Sequence, residues 1–117
     1  MKLNTYLVYA ILASSISLIT EISANQIRVA NNTDGQADVI IDIAAASSLC
    51  PNHEIHLAPQ SEQSFDIGLC CVKAIHVFGI TGSIKGQKFE RDFGIACHDI
   101  SIIVNKNNDN SMRIDLF

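Results

Sequence analysis

The sequence predicts an all-β protein: a small antiparallel β-sandwich, Ig-like or similar, of seven to eight short strands held by two disulfides. Three observations carry this reading. Apolar residues recur with a period of two in one run after another, the mark of strands with one wet face. Clusters of Gly, Asn, Asp, Ser and Pro separate the runs at intervals of roughly ten residues, as in sandwiches and small barrels. The four cysteines, Cys50, Cys70, Cys71 and Cys97, are an even set, which in an exported chain reads as a disulfide framework.

Export is itself an expectation from the N-terminus. Lys2 is followed by the apolar run Leu7–Ile19, then by a short polar stretch ending at the small Ala24. This pattern is a secretory signal peptide over residues 1–24, with a single domain over residues 25–117. The run is shorter than the ~20 apolar residues needed to span a bilayer. No cysteine lies near the cleavage site to carry a lipid. The mature chain is therefore expected to be secreted, extracellular or periplasmic, without membrane insertion after cleavage.

The elements follow in order. Ile27 and Val29 alternate with Arg28. Val39, Ile41 and Ile43 alternate with Asp38 and Asp42. Ile55 and Leu57 alternate with Glu54 and His56. Phe65 and Ile67 flank Asp66. The stretch 72–80 is apolar on both parities apart from Lys73 and His76, which suggests a central strand. Ile100, Ile102 and Val104 share one parity, and Met112, Ile114 and Leu116 alternate with Arg113 and Asp115. Turns are expected at 32–35, 59–61, 81–83, 85–86 and 107–110, where Gly and Asx residues accept unusual backbone geometry. Ala44 to Leu49 favours a helical turn that Cys50-Pro51 stops.

Four cysteines allow three pairings. Cys70 and Cys71 are neighbours, and neighbours in a strand point to opposite faces. One therefore reaches Cys50 and the other Cys97, with a lean toward Cys50–Cys70 and Cys71–Cys97. No Cys-x-x-Cys is present, so these are read as structural bonds rather than redox centres.

Composition limits the function. The net charge is −4, and it stays so without residues 1–24, since Lys2 and Glu21 leave together. No basic stripe exists to bind nucleic acid or an anionic membrane. Both tyrosines lie before residue 24 and there is no Trp, which weakens an aromatic recognition surface. The five phenylalanines, Phe65, Phe78, Phe89, Phe93 and Phe117, are expected in the core. Nucleophile elbows, phosphate loops and dinucleotide fingerprints are absent, so no catalytic residue and no cofactor is assigned.

The candidate sites are loops. Ser47 to His53 is polar, irregular and pinned by Cys50, with Leu49, Asn52 and His53 as candidate binding residues; His98 and Asp99, beside Cys97, are the next candidates. His53 and His56 face opposite ways on a strand and cannot chelate together, and His76 reads as a satisfied core or edge histidine, so no metal centre is expected. Asn107 to Asn110 reads as a hairpin turn. Asn31-Asn32-Thr33 matches a glycosylation sequon, relevant in a eukaryotic source. The reading is a non-enzymatic module that binds a protein or other extracellular macromolecule. Its rivals are an inhibitor of an extracellular enzyme, a small hydrolase or metal-dependent enzyme using His98, Asp99 and His53, and a surface-assembly subunit pairing through a sheet edge.

Overall fold

The computed structural model describes residues 25–117; the segment 1–24, for which a signal peptide is expected, lies outside the described residues. The elements are β1 (Gln26–Asn31), β2 (Ala37–Ile43), β3 (His53–Leu57), β4 (Ser61–Asp66), β5 (Val72–Gly79), one turn of 3-10 helix (Gly82–Ile84), β6 (Lys88–Ala96), β7 (Ile100–Lys106) and β8 (Met112–Leu116). They form two four-stranded sheets, ordered β4-β1-β7-β8 and β3-β2-β5-β6. The all-β sandwich of the sequence reading is therefore the observed fold.

The period of two does what it should. Ile27 and Val29 of β1, Val39 and Ile41 of β2, Ile55 and Leu57 of β3, and Ile102 and Val104 of β7 point inward and form one buried cluster with Val72, Ile75, Val77 and Ile84. Arg28, Asp38, Glu54 and His56 alternate outward. As the doubly apolar stretch implied, β5 is an internal strand, between β2 and β6.

The structure departs from expectation at five points. One pair, β1 with β7, is parallel; five strands intervene in sequence, which supplies the long connection that parallel pairing requires. β6 is an edge strand without a clean apolar period, because Arg91 shares the inward parity with the half-buried Phe89 and Phe93. The phenylalanines are not the core: Phe65, Phe89 and Phe93 pack partly buried against it, Phe78 is half-exposed on an outer face, and Phe117 is 75 % exposed. Ile and Val fill the interior instead. No helical turn forms at Ala44–Leu49. Ala45 takes a left-handed φ of 52° and the Ala44 N–H donates to Cys71 O at 2.8 Å, which turns the chain away from a helix. Asn31, finally, is fully buried. Its Nδ2 donates to the carbonyls of Gly35 (2.8 Å), Leu57 (3.2 Å) and Ala58 (3.2 Å), so the sequon nitrogen has no room for a glycan in the folded domain.

Candidate functional site

Because the strands alternate in direction, their connections gather at two ends. At one end lie the segments 44–52, 67–71 and 97–99. Both disulfides are here: Cys50 joins Cys70 across 20 residues and Cys71 joins Cys97 across 26, the pairing toward which the sequence leaned. No cysteine is free. Adjacent Cys70 and Cys71 couple the two bridges, so three connections of both sheets are tied to one point. Asn25 adds to this tie, donating its backbone N–H to Gly68 O at 2.9 Å and its Nδ2 to Cys70 O at 3.1 Å.

The five loop residues singled out by sequence separate into different roles. Leu49 is 89 % exposed, and across the Cys50–Cys70 bond Leu69 is equally so. They rim an open hollow of about 580 Å³, with Pro51, His53 and Asp66 along its walls. His53 is half-buried and tilts its ring against Phe65, with centroids 4.8 Å apart. Asn52 holds the loop: its Oδ1 accepts the Ile43 N–H at 2.8 Å. Asp99 likewise closes a connection, its Oδ1 accepting the Gln26 N–H at 2.7 Å. His98 is exposed and its Nδ1 lies 2.8 Å from Asp99 O. Among the described residues, His53, His98 and Asp99 do not bring their donor atoms within reach of one ion. Leu69 was missed by sequence reasoning. A lone apolar residue between Gly68 and Cys70 has no period to reveal it.

A second grouping lies on the outer face of the sheet β3-β2-β5-β6. Asp38 stands opposite His56, and Ile40 stands between Glu54 and His76. His56 Nδ1 is 2.9 Å from Asp38 Oδ1 and its Nε2 is 3.9 Å from Glu54 Oε1. The hydrogen bond and then the charge of Asp38, with a smaller contribution from Glu54, raise the His56 pKa above the ordinary histidine range. His76 Nε2 lies 2.8 Å from Asp42 Oδ2, and its Nδ1 3.5 Å from Glu90 Oε1. Thus His53 and His56 do face opposite ways, and the carboxylates, not a second histidine, gather round His56. The spacing Glu54-x-His56 signals a shared face. Asp38 joins only through strand register, which the sequence does not display.

No protein-family model matches the chain, and no curated protein matches it. Among solved structures it resembles "NMR structure of the protein from Eubacterium rectale", with a TM-score of 0.54 and 18 % identity, covering 80 % of this chain and 87 % of that one. At that identity the likeness is one of fold. The chain is a small disulfide-bonded β-sandwich domain. Its disulfides suggest an oxidising setting, extracellular or periplasmic. Among the described residues no helix is long and apolar enough to cross a membrane.

Proposed function

We propose that this chain is an exported, non-enzymatic binding module that engages a protein partner through its disulfide-bonded end. One observation carries the reading: Leu49 and Leu69, both 89 % exposed, flank the Cys50–Cys70 bond over an open hollow. Paired exposed leucines gain nothing for folding, and apolar side chains held at the surface mark contact sites. The bridges fix the segments that carry them, so little conformational entropy is lost on docking. Apolar anchors in a rigid setting are the usual origin of interface energy. Export is supported by the run Leu7–Ile19 after Lys2 and by the two bridges; the exported species should begin at Asn25, as intact mass would report.

The test compares the oxidised wild type with Leu49→Ser/Leu69→Ser, after a partner has been identified by capture from the natural environment. Losing two buried leucines from an interface should weaken binding by about 3 kcal/mol or more, roughly a hundredfold. A control, Ile80→Ser at the opposite end, should bind as wild type. Unchanged affinity in the folded double variant would remove this end as the site.

A further inference from the structure

We propose that Asp38, Glu54 and His56, on the outer face of the sheet β3-β2-β5-β6, form a binding site for a divalent transition-metal ion of the zinc type. This site lies on a sheet face, away from the loop end, and does not depend on the binding role assigned to that end.

The placement begins with backbone register. Asp38 of β2 and His56 of β3 are directly paired, and Glu54 is two residues before His56 on the same strand face. β2 is an internal strand, hydrogen-bonded on both sides, so the Cα positions of all three donors are set by the ladder rather than by a loop. One donor atom from each residue falls within a group spanning no more than 4.8 Å. Bonds of ~2.0–2.2 Å to one ion place donors roughly 3–3.5 Å apart. Asp38 Oδ1 is already near that value at 2.9 Å from His56 Nδ1, whereas Glu54 stands 3.9 Å from the other ring nitrogen and must swing toward Nδ1 to share the ion. Its side chain is 62 % exposed and free to swing, whereas Asp38 is 20 % exposed and steadied by the Gln36 Nε2 amide at 3.1 Å.

Charge and space point the same way. On the other sheet Glu62 is matched by Arg28 and Asp115 by Arg113, whereas on this face carboxylates are paired through histidines, Asp42 and Glu90 with His76. Among the described residues Asp38 and Glu54 make ion pairs only with His56, so two carboxylates share one titratable ring and no permanent cation. The two carboxylates also border an open hollow of about 390 Å³ beside Ile40, Phe78 and Lys88, and the His56 side chain is 59 % exposed, so water can reach all three donors and complete an ion's shell. The donor set selects the ion. An imidazole nitrogen with two carboxylate oxygens suits zinc and its neighbours, whereas calcium prefers six to eight oxygens and magnesium keeps most of its water. On binding, the ion takes one ring nitrogen in its neutral form, and any proton held there passes to solvent.

Zinc chloride titrated into the oxidised protein, followed by calorimetry and by the histidine ring signals in NMR, tests the assignment. A single ion should bind and shift the His56 signals first. His56→Ala and Glu54→Gln should each weaken zinc by about tenfold or more, while His76→Ala, on the neighbouring cluster, should leave it unchanged. Millimolar magnesium or calcium should not displace the zinc. The proposal is overturned if no saturable binding occurs below about 1 mM zinc, if binding survives His56→Ala in a folded protein, or if it is lost in His76→Ala.

Discussion

The two ends of the sandwich solve the same problem in different ways. Each must hold connections between sheets. At the end formed by segments 32–36, 58–60, 80–87 and 107–111, hydrogen bonds do this. The buried Asn31 amide gathers three carbonyls, Thr33 Oγ1 donates to Asn31 Oδ1 or Gly35 O at 2.7 and 3.0 Å, and Asp34 receives the Ser83 hydroxyl at 2.7 Å. Gln87 reaches Asn110 O at 2.8 Å and accepts the Met112 N–H at 2.6 Å. The packing is tight enough that a Cβ on Gly35 would lie 1.8 Å from Thr81 O. At the other end two disulfides carry the load, and large apolar side chains stay in solvent. At the polar end side chains such as Asp34, Ser83 and Gln87 meet one another or neighbouring backbone and close the connections. The 44–52 connection leaves most of its residues exposed, and the Cys50–Cys70 bond holds it without hiding its surface.

Breaking the covalent end should have the largest effect. A bridge closing a loop of this length contributes about 3 kcal/mol, so reducing both removes an amount comparable to the whole stability of a small domain. Denaturant titration with and without reductant should find the reduced protein largely unfolded at room temperature. Removing only Cys50–Cys70, as a double Ser variant, should leave a folded domain weakened by roughly 2–4 kcal/mol.

The polar end should break next most severely. Asn31→Ala strips three buried carbonyls of their donor and leaves a small void. The expected loss is about 2–4 kcal/mol, read from the urea midpoint at unchanged slope. A loss below about 0.5 kcal/mol would mean that this end is not held by the Asn31 network.

Part of this contrast was legible in the sequence. Alternation located six strands, since parity follows directly from side-chain period, and the doubly apolar run at 72–80 marked a seventh; β6, with no clean period, gave no such signal. Adjacent cysteines, read as strand neighbours facing opposite ways, implied that each reaches a different partner; the pairing is as expected although both lie in the connection 67–71. Parity does not name a strand's neighbour, so the parallel β1–β7 pair and the arrival of Asp38 beside His56 stayed hidden. Asn31 precedes Asn32-Thr33-Asp34-Gly35 and reads as the start of a turn, although its side chain is a core element. Asn52 and Asp99 carried signals of polar loop residues, and their carboxylate or amide oxygens prove to close backbone N–H groups.

A smaller effect concerns acid. Hydrogen bonding from Ser83 holds the Asp34 carboxyl below its ordinary pKa. A depressed folded pKa gives stability that is present above the unfolded pKa and lost as pH falls through the folded one. Wild type should therefore exceed Asp34→Asn in thermal midpoint at neutral pH by a modest margin, and the difference should shrink as pH drops below about 4. A difference that grows on acidification would contradict the assignment.

If the disulfide end is a contact surface, Leu49 and Leu69 serve contact and not folding. Urea denaturation of oxidised Leu49→Ser/Leu69→Ser tests this without any partner. Side chains that are 89 % exposed should be replaceable with a change in unfolding free energy within about 0.5 kcal/mol per site. A loss of about 2 kcal/mol or more, the scale of a buried leucine, would place them in the core and contradict the claim.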